Sequence, residues 1–282
     1  MKYSQRPKYE RRNETIAVLV MILLCIPVLF IYFSFFANAF ILDSTGELTL
    51  QNFQFLYQPI QLSQYTVEPI CKAFRNTVIF TAIATTLEVT ISCMAGYALA
   101  RMEFTGKRVI SFSLLTLRLF PGVLLLIGVL YVLLHLGILN TLTGVIVVAI
   151  ALRLPGSTFI IRNFFAGIPQ DIENSALVDG CNRLTAFFQV IIHMVKPGLA
   201  SISIFAFMSA WSNYLLFNVL IFNTKTPVLA TYLRVLSRND QMIADYGVFA
   251  AMAMVYMLPV LIFFFISQRQ LMQGTISGGK GI

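Results

Sequence analysis

The chain has 282 residues, 58% of them hydrophobic and only 11% charged, with a formal net charge of +8. Soluble domains carry roughly a quarter charged residues, so this composition has too little polar surface to solvate a globule. A basic balance suits nucleic acid when Lys and Arg gather on one soluble face; here they follow the loops between apolar runs, which excludes that partner.

Six apolar runs, at 16–42, 77–100, 109–134, 142–161, 198–222 and 246–267, each reach about 20 residues, enough to cross ~30 Å of hydrocarbon as a helix. They predict an all-α membrane protein with six transmembrane helices. The first run follows Lys2, Arg6, Lys8, Arg11 and Arg12 and is 27 residues long. Signal-peptide cores are roughly 7–15 residues, so a retained span is expected. With the N-terminus inside, thirteen Lys and Arg fall on inner segments and five on outer ones. That positive-inside bias places both termini in the cytosol. The division expected is a cytosolic segment at 1–15, a membrane domain at 16–267 with a cytosolic loop at 162–197, and a cytosolic tail at 268–282.

After the first span comes a polar outer segment at 43–75, broken by Pro59 and Pro69, and then span two with Glu88 inside it. A tight inner hairpin, "MEFTGKR", turned at Gly106, leads to span three, which carries Arg118; span four carries Arg153. A charge at mid-bilayer costs at least ~2.5–3.5 kcal/mol and therefore faces a paired or wet interior. Glu88 lies 16 residues before Phe104 and Arg118 14 after it, so their depths across the hairpin differ by only ~3 Å. That predicts an intramembrane ion pair between Glu88 and Arg118. Arg153 then has no acid left in the spans; it faces either a water-filled cavity and a polar substrate or the backbone carbonyls freed by Pro155.

The loop at 162–197 opens with Ile168-Pro169, places Asp171 and Glu173 near the positive end of a short helix, and bends at Asp179-Gly180 before "HMVKPG". A helix of this kind docks in a partner's groove or rests on lipid, and its residues alone leave both open. Span five carries Trp211, Asn213, Tyr214 and Phe217. Trp211 is about 14 residues into its run, too deep for the usual interfacial anchor. Aromatic faces beside an amide suit sugar stacking, so these residues are candidates for the substrate pathway. The Gly-rich tail, with Gly278, Gly279, Lys280 and Gly281, is expected to be flexible unless a partner captures it.

Cys25, Cys71, Cys93 and Cys181 are scattered, with no CxxC and no His at ligand spacing, so neither a disulfide framework nor a metal site is expected. No nucleophile–base pair and no P-loop is present; "GGKG" lacks the spacing of a phosphate-binding loop.

The stretch "IPQDIENSALVDGCNRLTAFFQVIIHMVKPGL" resembles the EAA loop of binding-protein-dependent ABC importer permeases, at Ile168, Pro169, Ala176, Asp179, Gly180, Arg183, Ala186, Phe187, Lys196, Pro197 and Gly198. "FRNTVIFTA", "AGYALARMEFTGKR", "SAWSNYLLF" and "QRQLMQGTISGGKG" resemble further motifs of the carbohydrate-type permeases, the smaller partner of the maltose-transporter kind. Three positions depart: the family's Glu of Glu-Ala-Ala falls on Asn174, its first Ala on Ser175, and the Pro that closes the Ile pair on His193. Asp171 or Glu173 stands close enough to supply the missing charge. The mid-span charges have no counterpart in the usual family pattern.

The resemblance implies a type I ABC importer transmembrane fold, a second homologous permease, two ATPase subunits and an external solute-binding protein. ATP and Mg are held on the ATPases, with no cofactor bound by this chain. It further implies coupling to the ATPases through Glu173, Asn174, Ser175, Ala176, Asp179, Gly180 and Phe187, a tail contact at Gly278–Gly281, and a carbohydrate as the imported solute. Another solute such as glycerol phosphate or an anionic glycan is the alternative within transport; a membrane scaffold, the alternative outside it, gives no reason for the loop.

Overall fold

The computed structural model describes residues 8–42, 46–62, 65–67, 69–222, 226–237 and 246–278. It is helical apart from a hairpin of β1 (Ile60–Leu62) and β2 (Tyr65–Val67), paired antiparallel. Four helices contain stretches long and apolar enough to cross a membrane: α1 (Lys8–Ala39), α2 (Cys71–Arg101), α5 (Leu142–Ala166) and α12 (Tyr246–Gly278).

Two further candidate spans are bent pairs. Helices α3 (Lys107–Leu119) and α4 (Gly122–His135) meet at 106°, and the helical run Arg183–Met194 meets α9 (Lys196–Trp211) at 78°. Pro121 accounts for the first break, because it cannot donate to the helical ladder and holds the residue before it extended. The structure thus gives four continuous spans, or up to six when each bent pair counts as one. Run five, expected as one helix, is interrupted: α9 stops at Trp211 and α10 (Tyr214–Leu220) restarts behind Asn213, whose Oδ1 accepts from the Leu216 amide at 3.3 Å.

The chain divides into two compact units, Met1–Pro69 with Val235–Met257, and Ile70–Arg234 with Leu258–Ile282; α12 contributes residues to both. In the first, the Asn52 amide donates to the carbonyls of Ala39 (3.1 Å) and Ile41 (2.9 Å), fixing the chain as it leaves α1. Along α1, almost every side chain from Ile16 to Phe36 is exposed, as expected of a helix solvated by lipid or by another subunit.

The second unit is built on α2 packed against α5 and α9. Ala73, Thr77, Phe80, Ala84, Glu88, Ser92 and Gly96 recur at helical spacing and are all buried. Most are small, so the backbones approach closely, as membrane helices require when apolar burial gives no drive. A Cβ at Gly96 would lie 2.5 Å from Ile161 Cγ2 and 3.1 Å from the Arg162 nitrogen. At one end of α2, Asn76 donates to the Pro227 carbonyl (2.9 Å) and Thr77 Oγ1 accepts from the Leu229 amide (2.9 Å). These bonds hold the lead-in to α11 (Leu229–Ser237) and explain the polar pair in "FRNT".

Candidate functional site: the docking loop and its clamp

Between α5 and α9 the chain makes a short helix, α6 (Gln170–Val178), a turn, and a second helical run. That run is α7 (Arg183–Ala186), a π-turn at Phe187–Ile191, and α8 (Ile192–Met194). The turn ends α6 as a Schellman motif. Gly180 has φ +91°, its amide donates to Leu177 O (3.2 Å), and the Cys181 amide donates to Ala176 O (3.1 Å). Only Gly adopts that conformation without strain. Asn182 then caps α7, its Oδ1 accepting from the Thr185 amide at 2.8 Å.

One face of α6 turns into the protein. Ala176 is 8% exposed and Glu173 6%. Tyr97, on the last turns of α2, donates its hydroxyl to Glu173 Oε1 at 2.6 Å. Arg101, one turn further on, places Nε 3.5 Å from Glu173 Oε2 and donates from Nη2 to the Ile168 carbonyl at 2.6 Å. The 3.5 Å pair is Coulombic, without hydrogen-bond geometry. Burying a carboxylate is costly unless it is paired and hydrogen-bonded; Arg101 and Tyr97 supply these partners. Phe187 closes the seat from the other side, its ring 4.7 Å from that of Tyr97 and 6.1 Å from that of Phe165.

The other face of α6 is open. Asp171, Asn174, Ser175 and Asp179 are exposed, Val178 is 87% exposed, and the exposed Leu184 and Phe188 follow on the second run. The coupling residues expected from sequence therefore separate into two groups. Asn174, Ser175, Asp179 and Gly180 lie on the open side. Glu173, Ala176 and Phe187 are corrected to interior positions: Glu173 cannot supply the missing outward charge, because Tyr97 and Arg101 already hold it. Asp171 remains outside. Sequence reasoning missed Tyr97 and Arg101, although "YALAR" puts them four residues apart on one helix face.

The expected Glu88–Arg118 pair is also corrected. Glu88, 2% exposed, is bound from α5: Arg153 Nε lies 2.9 Å from Oε2, and Ser157 Oγ donates to Oε1. Arg153 also donates from Nη2 to the Phe205 carbonyl at 2.9 Å, so one side chain ties α2, α5 and α9 together. Arg118 instead stands over the Phe159 ring, 5.4 Å from its centroid. Depth along the bilayer matched Glu88 with Arg118, but direction around the helix matched Glu88 with α5.

In the fifth apolar run, Trp211 and Phe217 are buried, at 3% and 2% exposure. Trp211 stacks on Phe207 (5.9 Å) and meets the edge of Phe74 (6.2 Å), and Phe217 packs against Phe80 (4.8 Å). Their faces are taken by other rings, which corrects the expectation that they stack on a sugar. Asn213 and Tyr214 are half-buried at the helix break, with the Arg234 guanidinium 5.4 Å from the Tyr214 ring. Gly278 ends α12, which carries helix into the tail expected to be flexible; Gly279, Lys280 and Gly281 lie outside the described residues.

The chain is similar to the diacetylchitobiose uptake system permease protein NgcG of Streptomyces coelicolor, 31% identical over 95% of this chain and 87% of that protein. It is similar also to the sulfoquinovosyl glycerol transport system permease protein SmoH of Agrobacterium fabrum, 29% identical over 84% of each. Its fold matches, at a TM-score of 0.76 and 18% identity, a chain from the crystal structure of a bacterial ABC transporter involved in import of the acidic polysaccharide alginate. That match covers 94% of this chain and 98% of the other. Residues 89–276, which include the clamped loop, match the binding-protein-dependent transport system inner membrane component. The chain therefore belongs to that family of ABC importer permeases, on its carbohydrate-type branch.

Proposed function

We propose that this chain is a translocation-pathway subunit of an ATP-driven, binding-protein-dependent importer of sugars or oligosaccharides. It works beside a second homologous permease, two ATPase subunits that hold ATP and Mg, and an external solute-binding protein. The membrane domain at 16–267 crosses six times, with α3–α4 as the third span and α9–α10 as the fifth. The segments at 1–15 and 268–282 are cytosolic, which the thirteen-to-five distribution of Lys and Arg supports.

One observation carries this reading: α6 is seated on α2 by Glu173, Tyr97 and Arg101, yet leaves a mixed edge of Asn174, Ser175, Val178, Asp179, Leu184 and Phe188 uncovered. Clamped on one face and open on the other, the helix suits a groove in a partner. When the ATPases close on ATP, movement of that groove displaces α6. The clamp passes the displacement to α2 and Phe187 passes it to α5, so the pathway alternates between outer and inner openings. Hydrolysis stays on the ATPases.

Cysteine at Ser175 should crosslink to an ATPase subunit in the assembled complex, whereas cysteine at Ala176 should not, because that position faces inward. Gly180→Val should assemble and hydrolyse ATP but import poorly. Equal crosslinking at both positions, or normal import by Gly180→Val, refutes the assignment.

A further inference from the structure

The mid-span charges do not balance: one acid, Glu88, stands against two bases, Arg118 and Arg153. Glu88 is spent on Arg153 and Ser157, which makes that buried cluster neutral. Arg118 is then left over. Among the described residues it has no acid partner, and no acceptor takes its N–H groups; its guanidinium stands over the Phe159 ring.

Its direction is set by the faces of α3. Lys107, Ser111, Leu114 and Arg118 follow one another at spacings of four, three and four; the first three are half-buried, and α3 packs on α5. Val109, Phe112 and Leu119, 68%, 70% and 81% exposed, form the apolar outer side. Arg118 continues the Lys107–Ser111–Leu114 stripe at helical spacing and, unlike those three residues, is exposed. Its Nε is 3.9 Å from where a Cβ on Gly156 would stand, so the absent side chain of Gly156 leaves room beside it.

Its depth follows from two separate counts. Arg118 is 11 residues past Lys107, and Gly156 is 10 residues before Ala166, giving ~16 Å and ~15 Å from the two helix ends taken as cytosolic. With both helix axes along the membrane normal, these lengths put the guanidinium near the middle of a ~30 Å hydrocarbon core. A cation there persists only against water or an anion.

We propose that Arg118 is an anion-contacting residue of the translocation pathway and that the imported saccharide carries an acidic group, a carboxylate, sulfate or phosphate ester. The proposal rests on the import reading above and narrows its substrate class. With its guanidinium carbon over the Phe159 ring, its N–H donors stay available as a fork, which matches two oxygens of such a group. The Glu88–Arg153–Ser157 cluster is the scaffold: it holds α5 against α2 and, being neutral, adds no second positive centre. A neutral sugar gives an uncompensated Arg nothing to neutralise.

The test uses the complete importer in proteoliposomes, with its own binding protein, and follows uptake of a uronate disaccharide, a sulfated and a phosphorylated hexose, and a neutral disaccharide. The expected result is uptake of an acidic sugar with a KM about tenfold higher in Arg118→Gln and partly restored in Arg118→Lys, the scale of a lost charge-assisted contact. A parallel arm labels Arg118→Cys with a sulfonated, membrane-impermeant thiol reagent, which should react from water. Uptake of neutral sugars alone, equal KM values in wild type and Arg118→Gln, or a thiol that never labels overturns the proposal. So does loss of the companion permease from Arg118→Gln complexes, which would make the anion a protein side chain. A complex that moves no saccharide at all defeats the import reading instead, and thiol access then decides the site by itself.

Discussion

Tyr97→Phe removes one oxygen from the seat of α6 and nothing else. The bond it deletes is 2.6 Å long and ends on a carboxylate 6% exposed, where water cannot take over freely. A hydrogen bond to a charged group contributes ~1.5–3 kcal/mol, so the clamp should open roughly 10- to 150-fold more often. Arg101→Gln should cost more, ~3–5 kcal/mol, because it strands the Glu173 charge in a buried site. It also releases the Ile168 carbonyl. Glu173→Gln in the Arg101→Gln background removes the stranded charge and should recover part of that loss. Amide hydrogen exchange on the assembled complex reads the effect directly. Amides of α6 should exchange faster in the order wild type, Tyr97→Phe, Arg101→Gln, while the middle of α5 keeps its protection. ATP hydrolysis should outlast import in the same order. Unchanged α6 exchange in Arg101→Gln, or a double variant worse than either single one, would refute the clamp.

Glu88→Gln and Arg153→Gln should each lower the yield of folded complex, since either leaves a partner charge stranded at ~3–5 kcal/mol, and the double variant should recover part of it; losses that simply add reject the pair. Gly96→Leu must push α2 off α5, because its Cβ alone would stand 2.5 Å from Ile161 Cγ2. A melting temperature equal to wild type would contradict the ~1–3 kcal/mol expected of overpacking. Asn76→Ala and Thr77→Val free the Pro227 carbonyl and the Leu229 amide, at ~1–3 kcal/mol for each group left unsatisfied in a buried setting. Faster exchange confined to the start of α11 is the expected readout, and protection equal to wild type there would sink the assignment.

Much of this architecture is legible from residue spacing. The buried stripe of α2, from Ala73 through Thr77, Ala84 and Ser92 to Gly96, can be read from its small residues at helical intervals. So can the turn at Asp179-Gly180, where a glycine must end a helix. Pro121 announces a break in the third apolar run, but its identity alone does not give the size of the bend, 106°. The charged residues are where spacing misleads. Hydropathy assigns Glu173 to the surface, and only its partners on α2, 76 and 72 positions earlier in the chain, make its burial tolerable. Counting residues from a hairpin yields depth without direction, so it set Glu88 level with Arg118 and overlooked Arg153, which stands on the helix α2 packs against. Trp211 and Phe217 failed in the same way: mid-span depth was readable, but not that Phe74, Phe207 and Phe80 would occupy their faces.

Those corrections bear on how a push at the loop reaches the membrane. Under the proposed coupling, Glu173 held by its own chain is better placed to transmit force than one reaching for a partner, since a groove that moves α6 must then move α2. Tyr97 and Glu88 lie nine residues apart on the same 31-residue helix, ~14 Å along its axis. Both are buried on that helix, one gripping the loop and the other gripping α5 and, through Arg153, the α9 backbone. A displacement of α6, as proposed, would therefore reach a point where three helices are joined through the Arg153 side chain. A pin of that kind fails abruptly when either charge is removed, whereas ordinary apolar packing there would slide by degrees. The Glu88–Arg153 double variant separates these cases. Import restored together with folding means that packing alone suffices at this crossing. Folding restored without import means that the pair itself carries the motion, and that outcome is the one expected from the geometry of Arg153.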